Sequence, residues 1–252
     1  MLKIGGDEAF LCHVDNQLVG LLSWYSSDGI EANMNGMVHS DFRRQGIFQG
    51  LLKRGISEMQ TQGIQTCRFR IPSDSKPGID CIRHLGASLS SSEFSMILNP
   101  LQATGSCRST LALRLEEDQD FDFMVRCISQ AFGDTESWTM EYLTRTRGPE
   151  RANYIALDGM TKIGMIRVNY ISTDVAVIHD FCILPSCQGR GFGREILSET
   201  VKRLLDQKCS QVRLGVVIQN MRALNLYKSV GFEVSSEFRY YVAPIRTFLR
   251  ER

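Results

Sequence analysis

A charge imbalance, long apolar runs and paired-cysteine motifs are all missing from this chain of 252 residues, and each absence removes a class of function. The 29 basic and 28 acidic side chains leave a formal charge of +1, so no global attraction to nucleic acid or to an anionic membrane is expected. No basic run is interleaved with aromatics, which argues further against nucleic acid. The longest apolar stretches, such as Leu18–Trp24, fall far short of the roughly 20 residues a bilayer requires. Residues Met1–Gly6 lack the basic and apolar regions of a secretory leader, so the expectation is a soluble, cytoplasmic protein without a membrane partner. Cysteines stand at 12, 67, 81, 107, 127, 182, 187 and 209, with no Cys-x-x-Cys pair and no histidines at zinc-finger spacing, so no metal site is expected. Cys67, Cys127 and Cys209 lie among periodic apolar residues, as small buried thiols do.

What is present begins with an internal repeat at an offset of 145. Arg43-Arg44-Gln45-Gly46-Ile47-Phe48 falls on Gln188-Gly189-Arg190-Gly191-Phe192-Gly193, Leu51-Leu52 falls on Ile196-Leu197, and Gly86 falls on Gly231. Between the glycines, each copy shows an amphipathic helix, a short β-like run (Thr66–Ile71, Gln211–Val217) and a second helical pattern. The expected division is therefore a first domain over 1–105 and a second over 106–252, joined near Leu98–Thr110. The first copy has no counterpart of about 108–146, which reads as a strand (Leu111–Arg114) and two helices (Asp118–Phe132 and Trp138–Thr146). It is a partial copy; the second is complete.

In the second copy, the β-branched run Val175–Leu184 ends at Pro185 and is followed by Gln188-Gly189-Arg190-Gly191-Phe192-Gly193. A helix then runs to about Lys208, with Ile196, Leu197, Val201, Leu204 and Leu205 on one face. Strand, glycine turn and helix aim free N–H groups and the positive helix end at one point, which suits a pyrophosphate. Arg190 and Arg194 offer charge-assisted contacts there, or are solvated helix-end charges. The turn is not a Walker loop, having no Gly-Lys-Ser/Thr, and its Gly-x-Gly-x-Gly spacing lacks the acid of a dinucleotide fingerprint.

Gln188-x-x-Gly191-x-Gly193 after Phe181-Cys182-Ile183-Leu184-Pro185 resembles the acetyl-CoA signature of the GNAT superfamily of N-acetyltransferases. Asn220-Met-Arg-Ala223-Leu-Asn-Leu226-Tyr227-Lys-Ser-Val-Gly231-Phe232 is similar to that family's next helix and turn. The resemblance covers about 108–243 fully and about 10–98 in part. It implies an α/β fold: two GNAT-like units in tandem, each a mixed, mostly antiparallel twisted sheet flanked by helices. It also implies acetyl-CoA as co-substrate, an amine of a small molecule or peptide as acceptor, and a monomer or homodimer.

Carried over residue by residue, the backbone of Phe181, Cys182 and Ile183 lines the pantetheine arm. The amides of Gln188, Gly189, Arg190, Gly191, Phe192, Gly193 and Arg194 hold the pyrophosphate, and Asn220 belongs to the cofactor site. Tyr227 matches the tyrosine that protonates the leaving thiolate, its alternative being a core tyrosine; a phenol stays protonated at neutral pH. The usual glutamate, five residues before the Asn, is here Gly215. Alternation along the strand puts His179 in phase with Phe181 and Ile183, and Asp180 on the other face. His179 then reads either as a base, directly or through water, or as a hydrogen-bonded core histidine. Asp180 reads as a structural or substrate-binding acid. Trp138, Tyr142, Arg239, Tyr240 and Tyr241 are expected either to line the acceptor pocket or to pack the core.

The first copy departs from the pattern, with Phe48 for the third glycine, Ile82 at the tyrosine position, Ser75 for the Asn, and Pro72 and Pro77 nearby. A structural, non-catalytic role follows for it. Two functions stay open for the chain: acetyl transfer, favoured by Tyr227 and the intact turn, and acyl-CoA sensing or scaffolding without turnover, favoured by Gly215.

Overall fold

The structure, a computed structural model, describes residues 2–4, 7–26, 28–100 and 111–249; Cys107 and most of the expected junction lie outside them. Its elements run β1 (Leu2–Ile4), β2 (Asp7–Val14), β3 (Gln17–Tyr25), β4 (Glu31–Val38), α1 (Ile47–Thr61), β5 (Thr66–Pro72), α2 (Lys76–His84) and β6 (Ser88–Leu98). They continue with β7 (Leu111–Leu115), α3 (Phe121–Phe132), α4 (Glu136–Arg145), β8 (Arg151–Asp158), β9 (Thr161–Tyr170) and β10 (Val175–Ile183). The last are α5 (Phe192–Asp206), β11 (Gln211–Val217), α6 (Met221–Val230) and β12 (Phe232–Pro244). The series β2 to α2 recurs as β8 to α6, and α1 and α5 share both the offset of 145 and a length of 15 residues.

Two compact units form, one from Met1–Ser92 with Glu237–Arg252 and one from Glu93–Ser236. These are not the contiguous domains 1–105 and 106–252. In the first unit the antiparallel run β1-β2-β3-β4 is followed by β5, parallel to β4, and β5 takes Phe238–Pro244 of β12 as an antiparallel neighbour. In the second unit, Glu93–Ile97 of β6 pairs antiparallel with β11, which lies parallel to β10, and β9, β8 and β7 follow antiparallel. Each sheet is thus completed by the last strand of the other sequence copy.

Alternation and periodicity explain where the cores sit. In the second unit, Leu214 and Val216 of β11 and Ala176 and Ile178 of β10 meet Ile196, Leu197, Val201 and Leu204 of α5 and Leu224 of α6. A separate cluster under α3 and α4 joins Phe123, Val125, Cys127, Ile128 and Leu143 to Ile155, Met165 and Cys182. With helices on both faces, β9 is buried without interruption from Ile163 to Val168. The thiols of Cys127 and Cys182 touch at 3.5 Å inside this second cluster. The first unit packs Leu22, Trp24, Met34, Phe69 and Tyr241 with Leu52, Ile56 and Met59 of α1. No helix among the described residues is long and apolar enough to cross a membrane.

Candidate active site

The site of the second unit is framed by a divergence of its two parallel strands. Strands β10 and β11 register from Val175↔Gln211 to Ile178↔Leu214 and no further. Beyond that point, β10 carries a bulge between His179 and Cys182, where Asp180 adopts a left-handed φ of 42°. The extra residue changes the phase of the strand. Ile178 packs on the α5 cluster; after the bulge Phe181 and Ile183 do so, while Cys182 turns under α3. The expected sharing of one face by His179, Phe181 and Ile183, with Asp180 opposite, is therefore wrong. His179 lies across from Arg167 on β9, and Asp180 turns its carboxylate to that same arginine. Gly164 of β9 makes room for the bulge, since a Cβ there would stand 2.7 Å from the Cys182 carbonyl.

After β10, a 3-10 turn over Pro185–Cys187 leads to Gln188, whose side-chain amide donates to the Ile183 carbonyl at 3.0 Å. Gly189 (φ 81°) and Gly191 (φ 86°) then adopt the left-handed conformation. Beyond the two chain neighbours, no protein atom lies within 4 Å of a Cβ built on either, so the glycine requirement starts from backbone conformation. Gly193 differs, because a Cβ on it would meet Leu226 of α6 at 3.2 Å. Among the described residues, the amides of Gly189, Arg190, Gly191, Phe192 and Gly193 have no protein acceptor, and α5 has no side-chain cap. This cradle at a helix N-terminus fits a pyrophosphate.

The flanking side chains are more committed than their sequence positions imply. The Arg190 guanidinium stacks on Phe192 at 4.5 Å and pairs with Asp158 at 3.6 Å, while Arg194 donates to the Ser229 carbonyl at 3.4 Å. Asn220 caps α6 by accepting from the Ala223 amide at 3.0 Å. Arg222, which sequence reasoning passed over, donates to Gln188 at 3.3 Å and so brings a cation to the turn.

Tyr227 lies half-buried on α6 beside Phe232, their ring centroids 6.3 Å apart. Burial pushes its phenol up to about 12, so it stays protonated across the neutral range. Asp180 accepts from Tyr142 of α4 and from Arg167, both at 2.9 Å, and Arg167 also binds Asn153 and Thr146. This network ties the bulge to α4 and to β8. Burial, reinforced by the Asp180 carboxylate, pushes Tyr142 up to about 12, and its ring stacks on Trp138 at 5.2 Å. His179 is solvent-accessible yet closely flanked by protein. Loss of hydration holds its pKa below the ordinary value; Asp180 and Glu93 oppose this, and Arg151 and Arg167 add to it.

Gly215 brings in a residue that the sequence did not suggest. Glu93 of β6 registers with Val217, two positions from Gly215 on the same face of the sheet, and its half-buried carboxylate lies over Gly215. A Cβ at 215 would overlap it. Arg239, Tyr240 and Tyr241 do not belong to this unit: they pair with β5, and Tyr241 is buried in the first unit's core.

Comparison with known proteins agrees with this geometry. The sequence profile of the acetyltransferase (GNAT) family matches residues 113–232. The N-alpha-acetyltransferase RimI of Mycobacterium tuberculosis is 32% identical over 119 residues, 45% of this chain and 73% of that protein. The bovine (Bos taurus) thialysine N-epsilon-acetyltransferase is 37% identical over 60 residues, and the 24% of this chain involved spans only 35% of that enzyme's length. In fold, a tandem GNAT protein from the clavulanic acid biosynthesis pathway superposes with a TM-score of 0.74 at 15% identity, over 95% of this chain and 83% of that one. With a diverging strand pair, an unengaged amide cradle and these similarities together, the chain belongs to the GNAT family of acetyltransferases.

Proposed function

We propose that the second unit transfers the acetyl group of acetyl-CoA to a primary amine by direct attack in a ternary complex. The observation that carries this reading is the run of unengaged amides from Gly189 to Gly193, set at the end of a strand whose parallel neighbour has already diverged. The cradle holds the pyrophosphate, with Arg222 adding charge beside Gln188. The backbone of Phe181–Ile183, without a β11 partner, pairs with the pantetheine arm and supplies an N–H to the thioester carbonyl. Tyr227 protonates the departing thiolate. His179, whose lowered pKa keeps it neutral near pH 7, takes the amine proton directly or through water. Asp180, already held by two donors, fixes the bulge that presents these groups.

The first unit is structural on this reading. It keeps the turn, with Arg44 (φ 63°) and Gly46 (φ 80°) repeating the left-handed pair, but the Phe48 ring reaches within 2.5 Å of where a Cβ on Gly36 would stand. Gly36 aligns with Phe181, so this ring fills the space along β4 that a pantetheine arm would need. Titration calorimetry is expected to give one acetyl-CoA per chain. Thiol release with a panel of amines tests the chemistry: Tyr227→Phe is expected to lower kcat about 100-fold at saturating acetyl-CoA without changing cofactor affinity. Unchanged turnover in that variant removes the tyrosine from the mechanism.

A further inference from the structure

Any amine acceptor raises a charge problem that the second unit must solve. A primary amine with a pKa near that of lysine, about 10.4, arrives as an ammonium ion, and its nitrogen attacks only after losing a proton. The strand position that carries a glutamate in many GNAT enzymes is empty of side chain here, yet the space above it is not. Leu214 and Val216 on β11 and Met96 on β6 point into the α5 cluster, so the register sends Gly215 and Glu93 to the opposite face. That is the face on which His179 lies opposite Arg167, next to the point where β10 leaves β11. The Glu93 carboxylate extends over Gly215, and Gly215 and His179 are the next residues after the last registered pair of the two parallel strands, Ile178↔Leu214. Asp180 is held by Arg167 and Tyr142.

We propose that Glu93 is the acceptor-site carboxylate of the second unit: it pairs with the ammonium group of the amine above Gly215, selects cationic primary amines, and shares with His179 the proton that the amine gives up. The proposal rests on the acetyl-transfer reading and assigns its acceptor class. The ammonium proton passes to the Glu93–His179 pair, and the freed nitrogen lone pair forms the C–N bond to the thioester carbonyl carbon. The C–S bond breaks as the sulfur takes the Tyr227 proton, giving amide and free thiol. The acylated nitrogen gives its second proton to solvent, which also accepts the proton from the pair and returns one to Tyr227, so one proton is released per turnover. Gly215 is the clearance that lets a carboxylate from the neighbouring strand stand where the strand's own side chain would be, so the acid is relocated, and it comes from the last strand of the first sequence copy.

Three variants of the full chain test this, with cadaverine as the cationic probe and methoxyamine as an amine uncharged at neutral pH. Glu93→Gln is expected to raise KM for cadaverine about tenfold or more, as loss of a charged hydrogen bond does, and to leave KM for methoxyamine within twofold. Gly215→Ala should act in the same direction, because its Cβ meets the far end of the flexible Glu93 side chain and displaces the carboxylate without removing it. Glu93→Gln combined with Gly215→Glu should restore most of the cadaverine KM, an outcome that a merely structural role for Glu93 does not give. Calorimetry of cadaverine into the CoA-saturated protein reads the same site without turnover. If no amine releases thiol from the unmodified protein, the acetyl-transfer reading fails, and Glu93-dependent cadaverine binding still stands or falls by itself. A cadaverine KM or affinity unchanged in Glu93→Gln, or no cadaverine binding to the unmodified protein, overturns the proposal.

Discussion

Two glycine turns, 145 residues apart, have kept one backbone and exchanged their side chains. Arg44 and Gly189 occupy the same left-handed position, and the side chains of Arg43 and Gln188 both donate at 3.0 Å to the last strand, to the Val38 and Ile183 carbonyls respectively. At the next pair of positions the bulk changes sides. In the second unit the strand carries Phe181 and the helix carries Gly193; in the first the strand carries Gly36 and the helix carries Phe48. Both arrangements fill the contact between strand and helix, so packing alone does not separate them. What separates them is where the aromatic starts. From the strand, Phe181 lies down on its own core; from the helix, Phe48 crosses toward β4 and takes the space beside it. On the proposed reading, the first unit keeps the turn for its structural value while Phe48 occupies the space beside β4.

The region with no counterpart in the first copy gives the largest expected effect on stability. Asp120, fully buried ahead of α3, accepts from Arg114 at 2.6 and 3.0 Å and from the Glu117 amide at 2.8 Å, and pairs with Lys162 at 2.5 Å. Arg114 foremost, then Lys162, holds its carboxyl well below the usual range. Asp120→Asn is expected to destabilise the protein by about 2–3 kcal/mol in urea unfolding at pH 7. Because the folded-state pKa is depressed, this stabilisation is complete above the ordinary Asp value near 4 and is lost as pH falls through the folded value. The variant should therefore show a flatter loss of stability below pH 4, and an unchanged acid limb would place the acid sensitivity elsewhere.

Phe48→Ala addresses the closed groove directly. The half-buried ring should take about 1–2 kcal/mol of stability with it, and calorimetry should then detect a second, weak CoA site. An isotherm that still fits one site would mean that the ring is not what silences the first unit. The smallest pair of effects concerns backbone alone. Arg44→Gly should stabilise by about 0.5–1 kcal/mol by relieving its left-handed strain, whereas Gly189→Ala should cost about 1 kcal/mol and weaken acetyl-CoA binding. Equal responses at the two positions would break the claim that the turns share one conformation.

Periodicity and glycine spacing made the element order and the glycine turn before α5 legible, because both are local. The strand expected over Val175–Leu184 ends at Ile183, and the helix expected from Asp118 divides into a 3-10 turn and α3. Three features were not legible. The bulge at Asp180 depends on one torsion that Ile-His-Asp-Phe-Cys-Ile does not announce, and it reverses every facing drawn by alternation past it. The commitments of Asn220, Arg190 and Asp180 to protein partners appear only when distant segments meet. Gly215 read as a lost side chain because a sequence shows what a strand lacks, not what its neighbour leans over it.

The placement of β12 has a consequence for synthesis. Residues 1–92 leave the ribosome well before β12, but β5 receives its antiparallel partner only from Phe238–Pro244, and Tyr241 is among the largest fully buried side chains of that unit. Until those residues emerge, the edge of β5 and the pocket for Tyr241 stand open, a template for mispairing with another nascent chain. The first unit is therefore completed only once Phe238–Pro244 has been made and has paired with β5, about 170 residues behind it in the chain.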